Sequence, residues 1–112
     1  MKLSEIVKIL DAKVLCGDDR LDTEIKSAYG CDLMSDVLAF VEDQSMLITG
    51  LINPQVVRTA EMMDMKAIVF VRGKEPEEEV LQLAKDSKIA ILATELPMYI
   101  SCGKLYSSGL KW

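Results

Sequence analysis

Two runs of the sequence are apolar at every position: AIVFV over residues 67–71 and IAILA over residues 89–93. Successive side chains of a strand point to opposite faces of the sheet, so a strand without polar positions must be covered on both faces. Such strands are typical of parallel sheets flanked by helices. The two runs therefore predict an α/β fold with helices packed on both faces of a sheet.

Amphipathic segments alternate with short apolar runs along the rest of the chain, which predicts successive strand and helix units. Pro54, Pro76 and Pro97 each follow a predicted strand, and proline is favoured in the first turn of a helix. The predicted strands are 13–15, 25–29, 46–49, 67–71 and 89–93. The predicted helices are a short one that follows Ser4 and ends near Leu10, and those over 33–42, 54–64, 76–86 and 97–107.

These elements predict a three-layer α/β/α domain with a mostly parallel sheet of about five strands. The strand at 13–15 is expected to be antiparallel or to lie at an edge. Ser4, Asp32 and Asn53 are side-chain types that cap helices, and each precedes a predicted helix.

The length of 112 residues indicates one domain, residues 1–112. Half of the residues are hydrophobic and 28% are charged, which excludes intrinsic disorder. The net charge of −5 disfavours a nucleic-acid partner. There is no histidine, so Ser-His and Cys-His nucleophile pairs and His-containing metal sites are excluded.

The apolar N-terminal residues are interrupted by Ser4, Glu5 and Lys8, so no signal peptide is expected. No run approaches the length of a membrane span, and no membrane partner is expected. Three cysteines without a C-x-x-C pair indicate free thiols and therefore a cytoplasmic protein.

Ligands of open α/β sheets bind beyond the carboxyl ends of the strands. Polar and glycine residues follow the predicted strands at these ends, and they suit a small anion such as a phosphate or nucleotide. The alternative is ordinary turn chemistry, in which Thr and Asn act as caps, and no phosphate-loop or dinucleotide motif is present. The candidate ligand-binding residues are Asp32, Ser35, Thr49, Gly50, Asn53, Arg72, Gly73 and Thr94, with Lys74 as a second positive charge.

Asp32 and Asp36 are four residues apart, so on a helix they share one face. Such a pair of carboxylates can bind a divalent ion or share a proton, which keeps a small enzyme using Asp32, Asp36 or Ser35 among the hypotheses. The simpler interpretation makes Asp32 an N-cap and Asp36 a solvated acid, and no cofactor or metal is expected.

Several apolar side chains exceed what one helix face needs and indicate a partner surface. The candidates are Met62, Met65, Tyr106 and Trp112.

Three segments carry a resemblance to a known family: 32–38 (DLMSDVL), 47–50 (LITG) and 71–74 (VRGK). With them, residues 5–110 resemble the small stand-alone DRTGG-domain proteins, which are similar to the non-catalytic N-terminal domain of HPr kinase/phosphorylase. The resemblance implies a regulatory or assembly module, often dimeric, that also occurs beside CBS domains. The letters D-R-T-G-G do not occur, and Thr49-Gly50 is their nearest counterpart, with Leu51 where a second glycine would stand.

We therefore expect a non-enzymatic regulatory or ligand-sensing module, in the form of a homodimer. The alternative is a protein-interaction subunit that attaches to a larger enzyme and has no ligand of its own.

Overall fold

The structure, a computed structural model, describes residues 1–41 and 46–112. Within these ranges, five strands form one sheet in the order β1-β5-β4-β3-β2. The strands are β1 (Lys13–Cys16), β2 (Ala28–Gly30), β3 (Met46–Thr49), β4 (Ala67–Phe70) and β5 (Ala90–Ala93), and the helices are α1 (Leu3–Leu10), α2 (Met34–Phe40), α3 (Pro54–Met62), α4 (Glu78–Asp86) and α5 (Met98–Ser107).

The sheet is mixed. Strand β1 pairs antiparallel with β5, whereas β2, β3, β4 and β5 pair in parallel with their neighbours. The expectation of a mostly parallel sheet is corrected accordingly, and the expected edge or antiparallel position of the first strand is confirmed. Two parallel neighbours need a crossover between them. Strand β1 enters directly from α1, so no crossover fixes its direction.

Helices cover the sheet on both faces, as the apolar runs predicted. In β4, Ile68 and Phe70 belong to one core, and Ala67 and Val69 belong to the other. The first core includes buried residues of α2, α3 and α4, and the second includes those of α1 and α5. This arrangement agrees with the three layers that were expected.

The predicted caps differ from the observed helix ends. Ser4 lies inside α1, whose N-cap is Lys2, and the N-cap of α2 is Leu33 rather than Asp32. Asn53 does precede α3, but its side chain makes no capping hydrogen bond. The predicted helix over 33–42 is observed to end at Phe40, and position 42 lies outside the described residues.

Two further differences concern packing. Helix α4 begins at Glu78, two residues after Pro76. Met65, which was expected at a partner surface, is buried at 3% exposure because it follows α3 directly into the core. Met62 remains exposed at 73%. Over the described ranges, no helix has the length and apolar character that crossing a membrane requires.

Candidate functional site

Asp32 joins the loops that follow two neighbouring strands. Its Oδ1 atom accepts a hydrogen bond from the Gly50 backbone N–H at 2.7 Å and another from the Thr49 hydroxyl at 3.1 Å. Because β2 and β3 are parallel, their carboxyl ends meet at the same edge of the sheet. The carboxylate is used between strands, which is why it caps no helix.

Thr49 is fully buried at the end of β3. Its hydroxyl donates to Asp32 and accepts a hydrogen bond from the Leu51 backbone N–H at 3.1 Å. A buried hydroxyl without a partner costs about 1–3 kcal/mol. Both hydrogen-bonding functions of Thr49 are therefore satisfied within the chain, and Asp32 is the acceptor that satisfies one of them.

Arg72 brings a positive charge to this carboxylate from the loop after β4. Its Nη2 atom lies 3.5 Å from Oδ2 of Asp32, and both side chains are about half exposed, at 48% and 50%. A Cβ atom on Gly50 would overlap the Arg72 guanidinium. The absence of a side chain at Gly50 therefore lets the guanidinium lie directly against the backbone.

The loop that carries Arg72 is a tight turn with two consecutive left-handed residues. Arg72 has φ 62° and Gly73 has φ 69°, as in the type I′ turn. The Arg72 N–H donates to the Leu96 carbonyl at 2.8 Å, and the Gly73 N–H donates to the Thr94 carbonyl at 2.9 Å. These bonds fix a conformation that costs a non-glycine residue about 1–2 kcal/mol.

The surroundings of Asp32 favour its charged form. The Gly50 N–H lowers the pKa of the carboxyl group most, and the Thr49 hydroxyl and the charges of Arg72 and Lys74 lower it further. Partial burial opposes this shift without reversing it. Asp32 is thus held as an anion in front of the two cations.

Asp32, Thr49, Gly50 and Arg72 form one cluster, and Thr94 lies outside it. Its hydroxyl donates to the Leu10 carbonyl at 2.7 Å and accepts from the Leu96 N–H at 3.2 Å. Thr94 is buried, and its hydroxyl joins the loop after β5 to the end of α1. Both hydrogen-bonding functions of the Thr94 hydroxyl are therefore used away from Asp32.

Asn53 and Ser35 are exposed and contribute no side-chain hydrogen bond to the cluster. Asn53 lines a cleft of about 260 Å³ together with Glu77 and Glu79. These two carboxylates disfavour an anion at that position. Of the eight predicted residues, the structure brings together Asp32, Thr49, Gly50 and Arg72, with Gly73 next to them.

The paired-carboxylate hypothesis finds no geometric support. Asp32 precedes α2 and is bonded to the β3 loop, whereas Asp36 lies within α2. Among residues 1–41 and 46–112, no group of three or more His, Cys, Asp or Glu side chains could hold a metal ion.

Sequence reasoning missed Glu95, whose carboxylate lies so close to Gly73 that a Cβ atom there would overlap it. The sequence offered one signal, because Glu95 follows the end of β5 as Asp32 follows the end of β2. With Glu95 and Lys74 beside it, the cluster is mixed in charge, with two acids and two bases.

The fold and the cluster define a small α/β domain with a polar, mixed-charge surface site at the carboxyl ends of its parallel strands. The model of the DRTGG domain matches residues 5–102, and the chain belongs to this family. The four residue types Asp, Arg, Thr and Gly meet in the cluster, although they come from three separate loops.

Among solved structures, the chain is similar to the crystal structure of the CBS and DRTGG domains of the regulatory region of Clostridium perfringens pyrophosphatase, complexed with its activator diadenosine tetraphosphate. The TM-score is 0.75 at 15% sequence identity, over 96% of this chain and 46% of that one. The chain thus spans just under half of that structure, and the likeness is one of fold. No curated protein sequence matches the chain significantly.

Proposed function

We propose that this protein is a non-enzymatic regulatory module that senses a small anionic ligand, such as a phosphate or a nucleotide. The observation that carries the proposal is the convergence of Asp32, Thr49, Gly50 and Arg72 at the ends of three adjacent strands. Membership of the DRTGG domain family supports a regulatory role. The similar pyrophosphatase region, which was solved with a nucleotide activator, agrees with it.

The chemistry of the cluster indicates where such a ligand binds. Asp32 already occupies the Gly50 N–H and the Thr49 hydroxyl, so the anionic group binds on the outward side of Arg72 and Lys74. A guanidinium has five N–H donors, and the single 3.5 Å contact with Asp32 leaves it able to bind an anion. The second oxygen of Asp32, Oδ2, makes the 3.5 Å contact with Arg72, and the side chain is half exposed, so it can also accept a hydrogen bond from a ligand hydroxyl.

A ligand at this position acts on several elements at once. Drawing Arg72 outward weakens its pair with Asp32, which lies in the loop between β2 and α2. A ligand shifts a conformational equilibrium only by its difference in affinity for the two states. Binding that favours one arrangement of this loop is the signal that a partner detects.

The wider setting belongs to the same proposal. We place the protein in the cytoplasm, as a homodimer that acts on an attached or associated enzyme. Light scattering of the purified chain tests the homodimer, and a monomer at micromolar concentration would contradict it.

Thermal unfolding with a panel of anions tests the ligand site. The probes are inorganic phosphate, pyrophosphate, nucleoside triphosphates and diadenosine tetraphosphate. A ligand at 100 times its Kd stabilises by about 2.7 kcal/mol, which raises the Tm of a domain of this size by about 10 °C. At least one probe is expected to do so, with titration calorimetry giving its Kd.

Two variants locate the effect. Arg72→Gln is expected to raise the Kd at least tenfold, because it removes the cation that faces the ligand. Arg58→Gln, which removes an exposed arginine of α3, is the matched control and is expected to leave the Kd unchanged. The proposal fails if no probe raises the Tm, or if both variants bind as the wild type does.

A further inference from the structure

The outer side of α5 forms an open groove with Ile9 of α1. The groove has a volume of about 750 Å³. Tyr99, Ile100 and Tyr106 line it and are exposed at 86%, 41% and 58%. Large contiguous apolar surfaces on a protein often mark interaction sites. This surface, called the α5 groove below, lies on the α1–α5 side of the sheet.

Gly103 lines the middle of the α5 groove. Glycine weakens a helix interior relative to alanine because the unfolded chain is more flexible. A Cβ atom on Gly103 would meet no atom within 4 Å, and its φ is not positive. Neither the packing nor the backbone of this chain therefore requires glycine here. The absence of a side chain at Gly103 leaves the backbone of α5 open to a molecule that approaches from outside.

The charges at the groove have one sign. Among the described residues that line the groove, Lys104 alone is charged, and Lys111 lies over the Tyr106 ring at 5.5 Å. Residues 96–112 contain no Asp or Glu, although the chain as a whole carries a net charge of −5. An apolar surface with a positive rim is thus set into an acidic protein.

We propose that the α5 groove docks an acidic amphipathic α-helix of a partner protein. The lining positions 99, 103, 106 and 107 follow helical spacing along α5. A helix of ten residues is about 15 Å long, which matches about three turns of a helix laid along it. Apolar side chains of the partner fill the groove beside Gly103, and its carboxylates meet Lys104 and Lys111.

Charge argues against a second copy of this chain as the occupant. A two-fold contact places the same surface of both copies together, so it would bring the lysines of the two α5 segments towards each other. A small molecule is disfavoured because the groove is wide open, and ligand sites bury most of the ligand.

Fluorescence anisotropy with two labelled 18-residue helical peptides tests the proposal. Both peptides carry the same leucine face, and the opposite face carries glutamates in one and lysines in the other. The full chain is expected to bind the glutamate peptide at least tenfold more tightly. Gly103→Leu fills the groove and is expected to weaken this binding at least tenfold, and Lys104→Glu is expected to reverse the preference.

Met62→Ala, on the α3 side of the sheet, is the matched control and is expected to bind like the wild type. Circular dichroism verifies that each variant is folded. If Gly103→Leu does not fold, Lys104→Glu still tests the proposal. Equal binding of the two peptides, no binding of either, or an unaltered Lys104→Glu variant would overturn the proposal. So would a wild-type dimer that becomes a monomer on Gly103→Leu substitution, since a second copy would then be the occupant.

Discussion

The Oδ1 atom of Asp32 lies 2.7 Å from the backbone nitrogen of Gly50, eighteen residues further along the chain. This bond ties the loop after β2 to the loop after β3, and the Thr49 hydroxyl adds a second bond to the same oxygen. A carboxylate that accepts two such bonds contributes to stability and also places a charge opposite Arg72.

Removal of the Asp32 side chain is expected to destabilise the fold. Asp32→Ala leaves the buried Thr49 hydroxyl and the Gly50 N–H without their acceptor, which costs about 1–3 kcal/mol. Asp32→Asn keeps one oxygen acceptor and is expected to lose less. Urea unfolding at pH 7 measures both values, and equal losses in the two variants would contradict the role of Asp32 as the acceptor.

The stability contributed by Asp32 depends on pH. Its pKa in the folded protein is lowered from the usual 3.8 by the Gly50 N–H, the Thr49 hydroxyl and the nearby cations. The contribution is therefore complete above the usual pKa and is lost as the pH falls through the lowered one. The difference in unfolding free energy between wild type and Asp32→Asn is expected to shrink from pH 6 to pH 2.5.

Glu24 provides the control for this measurement. Its pKa is also lowered, by its contact with the N-terminal ammonium group. Its effect is present in both the wild type and Asp32→Asn, so it cancels in their difference. A difference that stays constant with pH would show that Asp32 is not stabilised as an anion.

At position 72, glycine is expected to give a more stable protein than alanine. The φ of 62° at Arg72 is left-handed, a conformation that costs a residue with a Cβ atom about 1–2 kcal/mol. Arg72→Gly is therefore expected to be about 1 kcal/mol more stable than Arg72→Ala in chemical denaturation. Gln82 is an exposed position of α4. There the alanine variant is expected to be more stable than the glycine variant, because glycine is the weaker helix former. The same order at both positions would contradict the turn geometry.

Gly30 and Cys102 are expected to be coupled in energy. A Cβ atom on Gly30 would lie 2.8 Å from the Cys102 sulfur, closer than packing allows. Gly30→Ala is expected to cost about 1–3 kcal/mol by overpacking. Cys102→Ala removes the sulfur, so the double variant is expected to recover part of this loss. A double-mutant cycle measures the coupling, and strictly additive values would rule out the contact.

Gly103→Ala is expected to stabilise the protein. Beyond its chain neighbours and the backbone of its own helix, the new methyl group meets no atom within 4 Å, and alanine is favoured over glycine in a helix interior by about 0.5–1 kcal/mol. Thermal unfolding measures the gain. A loss of stability would mean that glycine is required by the fold itself, and it would remove the reason to assign Gly103 to an external partner.

The sequence predicted the central strands well, because a short run of apolar residues is enough to identify a strand that is buried on both faces. The runs at 67–71 and 89–93 contain β4 and β5, which are covered on both faces. The caps were predicted poorly. Ser4, Asp32 and Asn53 have the right chemistry for caps, but the N-caps of α1 and α2 are Lys2 and Leu33, and the Asn53 side chain makes no capping hydrogen bond.

The candidate site was predicted in part. The rule that ligands bind at the carboxyl ends of strands led to Thr49, Gly50, Arg72 and Asp32. It also led to Thr94, whose hydroxyl is used by the end of α1. Thr49 and Thr94 occupy similar positions in the sequence, since each lies at or just after the end of a strand. Only the residues that the fold places next to them distinguish the two.

The sequence by itself determined that this chain forms a helix-covered α/β domain, that its 112 residues include no histidine, and that glycines and polar residues follow its strands. These properties depend on residue types and on spacing within a few positions. The tertiary structure decided that Asp32 bonds to Gly50, that β1 runs antiparallel to β5, and that Gly103 lines an open groove. Each of these depends on which distant segments of the chain the fold brings within a few ångströms of each other. Patterns over a few neighbouring residues do not specify those contacts.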